Sequence, residues 1–404
     1  MTKAAGHRER IVLYALLTSL TAVSIDALLP ALPVIAVELD PAPFLSTQHV
    51  ISLFIFGMVF GELCLGPISD AIGRKKALLG GLSVFAAGTA IAMSAGSLEM
   101  LVLGRILQGV GVSGPKIATR AMIRDQYEGD AMARVMSFMF TLIILVPMLA
   151  PFLGQAIMTA GGWRAVFLLY LAMGMVCAIW LALRQPETLA RGKRRRISVS
   201  LLTQNAKRIL ANRRVSLLIL ATGFVFGIQL LYLSTAVDLF ADAYGITRKF
   251  PAYFAALALA TGLATLLNGT LVMKFGMDRM ARAGFVGLTA VGVFLLLGSA
   301  LWDGRPPLAL FMLLGFAGFF SVGILFGNMN AMAMRSLGEV AGLGASLIAS
   351  GSSLVATGFA LGFGALYEGT TDYLALGFLV AGAASMVLSE VSASGDPSPV
   401  RPAR

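Results

Sequence analysis

The residues best placed to do chemistry are a carboxylate, a guanidinium and a set of helix-loosening residues, all inside apolar runs. Asp26 stands in LYALLTSLTAVSIDALLPALPVIAV, residues 13–37. Insertion scales charge about 2.5–3.5 kcal/mol for an ionised Asp at a helix centre, so an acid at that depth reads as a proton-binding group. Pro30 and Pro33 follow it and remove backbone donors, which loosens the segment. The competing reading is an Asp held quietly by a neighbouring hydroxyl such as Ser24. Arg105 lies in LVLGRILQGVGVSGPKIATRAMIRD (101–125), with Gln108 one turn on and Gly109, Gly111 and Gly114 thinning one region of the helix. A buried Arg normally needs an acid partner; the alternative is an Arg that snorkels to the interface. Lys116 and Arg120 stand nearer the other end of that run, where snorkelling is expected. LVPMLAPFLGQ (145–155) brings Pro147, Pro151 and Gly154, which make either a bendable, closely packed segment or a purely structural kink. Glu62 reads as a second titratable group or as a polar contact near a helix end.

Other chemistries find no support. No phosphate-cradling loop of the Walker type is present, so ATP hydrolysis is not the power source. His7 and His49 are isolated, and Cys64 and Cys177 lie in apolar runs without metal-ligand spacing. No catalytic triad or paired-acid arrangement is visible. The expectation is a protein that is not an enzyme and that uses no cofactor or metal.

The elements that position these groups must cross a membrane. Of 404 residues, 58% are hydrophobic and 13% charged, about half the charge of a soluble domain. Apolar runs fall at about 11–35, 48–68, 77–95, 99–122, 134–158, 165–183, 215–240, 250–272, 283–302, 307–332, 342–366 and 373–391. Each is long enough for about 30 Å of hydrocarbon. Gly is frequent, at 45 residues, as where helix backbones approach closely in lipid. Most of the 31 Lys and Arg fall on one side of these spans: Lys3, Arg74 to Lys76, Arg124, Arg134, the RGKRRR run with Arg195 and Arg196, Arg335, Arg401 and Arg404 among them. That asymmetry places both termini in the cytoplasm. It also argues against nucleic acid as the partner behind the net charge of +11, since a basic cytoplasmic loop is what topology requires.

The predicted organisation is six spans in 1–183, a basic cytoplasmic linker at 184–214, six spans in 215–391 and a disordered tail at 392–404. A shift of 203 residues lays Gly66 on Gly269, Gly73 on Gly276 and Asp26 on Gln229, a faint trace of duplicated halves.

The run GPISDAIGRKKAL (66–78) combines Gly66 and Gly73 for close packing and a sharp turn with Asp70 and Arg74 as charges. It resembles the loop signature G-x-x-x-D-x-x-G-R-[KR] of the major facilitator superfamily, with Met273 in place of Asp70 in the second half. Arg105 to Gly109 resembles the R-x-x-Q-G signature of proton-coupled members. The stretch with Pro147, Pro151 and Gly154 resembles the antiporter motif, with Ala150 where a Gly is usual. SIDALLPALP (24–33), GGWRAVF (161–167), PETL (186–189) and NAMAM with AGLGASL (330–347) resemble the Bcr/CflA branch of drug:proton antiporters. In that branch a Gln is common where Glu62 stands here.

The resemblance implies an all-α membrane protein of twelve transmembrane helices in two six-helix bundles, the major facilitator fold. It further implies a monomeric proton-coupled antiporter exporting small amphipathic or drug-like compounds across the inner membrane. Asp26 would carry the proton, its carboxylate favouring a cationic or polar substrate, and Arg105 would tune it by Coulomb interaction. Gln229, Asn328, Asn330 and Glu62 would line the substrate cavity, and Asp70 would act at a cytoplasmic gate or only stabilise its turn. The same-class alternative is a transporter of a specific metabolite such as a sugar, amino acid or siderophore.

Overall fold

The computed structural model describes residues 6–39, 45–194, 198–335, 337 and 341–394. Lys3, Arg195, Arg196, Arg401, Arg404 and the tail from 395 lie outside them, as do the side chains of His7, Arg134 and Lys193. The chain divides into two compact units, Met1–Ser198 and Val199–Arg404. Among the described residues the regular secondary structure of both is entirely helical.

The first unit opens with α1 (His7–Asp26), a 3-10 turn (Leu29–Ala31) and α2 (Leu32–Glu38). The run expected as one helix is therefore broken at Asp26. Pro30 and Pro33 sit in the first positions of the two following elements, where a missing N–H is tolerated and the preceding helix cannot continue. Then come α3 (Gln48–Ile72), α4 (Arg74–Met93), α5 (Leu98–Gln126) and α6 (Gly129–Arg184). α6 holds two crossings, for Gly162 inside it has φ 73°, outside any helix. The chain reverses there: Trp163 and Arg164 reach Glu38 and Ala95 at one end, while Arg184 reaches Glu9 at the other.

The second unit comprises α7 (Val199–Ala211), α8 (Arg213–Tyr244), α9 (Phe250–Phe275), α10 (Met277–Leu301), α11 (Leu308–Met334), α12 (Ala341–Gly364) and α13 (Asp372–Ala393). α7 lies within the stretch read from sequence as a linker. Among the described residues, ten stretches are long and apolar enough to cross a bilayer. The doubled α6 and the more polar α5 complete twelve crossings, six in each unit.

Two turns share one geometry. Gly73 (φ 106°, ψ 153°) joins α3 to α4, and Gly276 (φ 80°, ψ 156°) joins α9 to α10. Both φ values favour glycine, and these are the two positions that the 203-residue shift superposes. α3 and α5 cross almost backbone to backbone. A Cβ at Gly57, Gly61 or Gly109 would strike the carbonyls of Ile106, Val110 and Phe54 respectively. Such small-residue contacts replace the hydrophobic effect as the packing force between helices in lipid.

Candidate functional site

Asp26 is the last residue of α1 and only 4% exposed. Among the described residues no hydrogen bond or ion pair reaches its carboxylate. Ser24 does not cap it, because the Ser24 hydroxyl donates to the Leu20 carbonyl at 2.6 Å. α6 closes over the break: a Cβ on Gly154 would collide with the Ala27 carbonyl. The Pro147–Pro151–Gly154 segment and the acid are thus neighbours, brought together by a glycine that lets two backbones touch. Pro151 and Gly154 are buried and Pro147 half-buried.

Arg105 is fully buried, which rules out snorkelling. Its Nε donates to the Val50 carbonyl at 3.2 Å, one terminal nitrogen donates to Gln108 Oε1 at 2.5 Å, and its guanidinium lies 4.2 Å over the Phe54 ring. Gln108 passes the chain on to the Thr89 hydroxyl at 2.8 Å, so one residue ties α5 to α3 and α4. The expected acid partner is absent among the described residues. A cation–π contact and neutral acceptors take its place, and the second terminal nitrogen of Arg105 is buried without a hydrogen bond. Tyr170 on α6 neighbours both charges. Among the described residues its hydroxyl is buried without a partner, and it stands within electrostatic reach of both Arg105 and Asp26. Nothing in the sequence marks Tyr170, an aromatic residue in an aromatic-rich run packed edge-on against Phe167 (5.6 Å).

Glu62 and Lys116 form an ion pair between α3 and α5. The snorkelling expected of Lys116 is therefore wrong. About 15 Å of helix separate it from Gln126, the end of α5, and the nearest compensation for its charge is the acid across the helix crossing.

At the α3–α4 turn, Arg74 is a hub. It pairs with Asp70 at 2.5 Å and Asp125 at 3.2 Å, and donates to Ser69 at 3.0 Å. The Glu187 carboxylate accepts the backbone N–H groups of Arg74 (2.9 Å) and Lys75 (3.2 Å), capping the positive end of α4. Gly66 is half-buried on α3, and a Cβ on Gly73 would strike Glu187. Asp125 and Glu187 escape a sequence reading of this cluster, although each sits in a stretch the sequence flags, IRD and PETL.

In the second unit Asn328 is not a free hydrogen-bonding wall. It donates to Asn268 Oδ1 at 2.8 Å and to the Ile324 carbonyl at 3.0 Å, clasping α11 to α9. Asn330 is exposed. Gln229 is half-buried, with a side-chain carbonyl that no donor reaches among the described residues. Met273, at the place of Asp70, is 85% exposed, and among the described residues the ion pair at the start of α10 is instead Arg335 with Asp278 at 3.4 Å.

The family model of the Major Facilitator Superfamily matches residues 14–365, and the chain belongs to that family, as a multi-pass membrane transporter of small molecules. It is similar to a bicyclomycin resistance protein homolog of Haemophilus influenzae, 28% identical over 342 residues, which cover 84% of this chain and 85% of that protein. It is similar also to the multidrug resistance protein MdtL of Citrobacter koseri, 28% identical over 353 residues, 85% of this chain and 86% of that one. Among solved structures, a D-xylose–proton symporter superposes with a TM-score of 0.73 at 15% identity, covering 98% of this chain and 99% of that chain. That likeness speaks for the fold alone.

Proposed function

We propose that this transporter exports small amphipathic, drug-like compounds across the inner membrane in exchange for protons, as a monomer with both termini in the cytoplasm. The resistance names of the two relatives support the substrate class. The observation that carries the proton coupling is Asp26: a buried carboxylate without a hydrogen-bonding partner among the described residues, at a helix break, under a proline- and glycine-bearing helix. The proton affinity of such a carboxylate depends on the water and packing around it. Opening of the break toward either side would therefore change the proton occupancy of Asp26.

In this reading Arg105 and Tyr170 set the local field beside the acid, and Gln229 remains a candidate substrate contact in the second unit. Asp70, with Arg74 and Glu187, works at the cytoplasmic end by holding the α3–α4 turn. The test is a panel of amphipathic substrates offered to everted vesicles under an imposed acid-inside pH gradient. Gradient-dependent uptake that collapses with a protonophore is expected. Uptake indifferent to the gradient contradicts proton exchange.

A further inference from the structure

The Glu62–Lys116 pair leaves an unbalanced charge. Glu62 is 1% exposed and Lys116 31% exposed at the side chain. One Glu62 oxygen holds Lys116, while the other is buried without a hydrogen bond among the described residues. Arg120 stands one turn from Lys116, exposed, and within electrostatic reach of Glu62. No hydrogen bond or ion pair reaches Arg120 among the described residues. The local sum is two cations against one carboxylate, with the carboxylate at the back and the cations in front.

Depth makes this sum consequential. Lys116 lies six residues, about 9 Å, inside the apolar run that ends near 122, and Arg120 stands at the mouth of that run. A charge as deep as that of Lys116 does not face hydrocarbon; it faces protein or a water-filled route. Residues four apart on a helix present their side chains together, with Cβ atoms about 5–6 Å apart. An ammonium and a guanidinium so placed suit a carboxylate, the guanidinium offering a planar fork. The positions are well fixed, because the α3–α5 crossing at Gly57, Gly61 and Gly109 allows little play just above the pair.

We infer that Lys116 and Arg120, backed by Glu62, form a recognition site for the negatively charged group of an amphipathic substrate, an organic carboxylate. The inference rests on the small-molecule export reading above and narrows its substrate class, moving it from the cationic or polar compound expected of Asp26 alone. The proton site is on α1 and this one is about 16 Å along α5 from Arg105, so one end of the substrate meets the cations while the acid serves the proton. Glu62 then plays two parts. It keeps Lys116 compensated when the site is empty, and it competes with the substrate anion when the site is full.

The test uses 4-(1-pyrenyl)butyrate and its methyl ester as probes, with fluorescence binding to the purified full-length protein. The expected result is a carboxylate-to-ester affinity ratio well above one in the parent. Lys116→Gln or Arg120→Gln should lower that ratio roughly tenfold or more, the scale of one lost charge-assisted hydrogen bond. Glu62→Gln should raise it. Because Lys116→Gln strands a buried carboxylate and is prone to misfold, the double variant Glu62→Gln/Lys116→Gln serves as the balanced control and should also lose the preference. Equal binding of the two probes by the parent, or a preference retained in the double variant, overturns the inference. Gradient-driven uptake of the neutral ester in everted vesicles reports separately on the export reading, so failure there with intact carboxylate preference falls on that reading and not on this site.

Discussion

Gly154→Ala is a sharp test of how the proton-binding acid is held. A methyl group at Gly154 would stand 2.6 Å from the carbonyl carbon of Ala27 and 2.8 Å from its Cα. Carbon atoms rest at about 3.5–4.0 Å, so α6 must withdraw from the break after Asp26 by about 1 Å. The neighbour is backbone and has no rotamer to swing away. Overpacking of this kind costs about 1–3 kcal/mol, or roughly 2–4 °C in Tm for each kcal/mol in a unit of this size. Withdrawal also opens the wall over Asp26 to water, so the loss of gradient-driven transport should exceed the loss of stability. Gly80→Ala on α4 is the control, since a Cβ there meets nothing within 4 Å. Both variants would be followed by fluorescence-detected melting in detergent and by uptake into everted vesicles. The expected outcome is a lower Tm and at least tenfold slower uptake for Gly154→Ala, with Gly80→Ala like the parent. Parental melting and uptake in Gly154→Ala would refute the backbone contact and the role built on it.

Arg105→Ala should abolish most vesicle uptake by removing the link from α5 to Val50 and Phe54 on α3 and, through Gln108, to Thr89 on α4, while Arg105→Lys, which keeps charge but loses the fork, should retain part of it; full activity in the alanine variant contradicts a role beyond packing. Glu187→Gln should lower stability by about 0.3–2 kcal/mol, the range for a charge at a helix end, read as a drop in Tm that Asp70→Asn, on the other side of Arg74, does not reproduce through the same amides. Asn268→Ala and Asn328→Ala should each lower Tm and should combine less than additively, with a coupling of about 1 kcal/mol from their shared hydrogen bond; strict additivity would dissolve the clasp.

Fold class and family were open to a sequence reading because the determinants are local. Apolar runs of membrane length, charge asymmetry and the 66–78 signature each lie within one stretch of chain. The break after Asp26 was half legible: Pro30 and Pro33 announce a loosened segment, but only the structure ends α1 at the acid itself. Pairings across helices were not legible. Glu62 and Lys116 are 54 residues apart, and their meeting depends on glycine positions that let α3 and α5 touch. Arg105 illustrates the same limit. Its type and depth called for an acid, whereas the fold supplied Phe54, a carbonyl and Gln108. Asn328, a reasonable polar wall by composition, is consumed by Asn268 on a neighbouring helix, a contact without any local trace.

The measurement that bears most directly on the account is the Asp26→Asn variant in everted vesicles with an imposed acid-inside gradient. Asparagine keeps the shape of the side chain and cannot exchange a proton at any working pH. Substrate binding to the purified variant, measured alongside, separates coupling from folding. The account predicts retained binding with gradient-driven uptake reduced to the level of vesicles lacking the protein. Parental, gradient-dependent uptake in Asp26→Asn would contradict it and move the proton to another group.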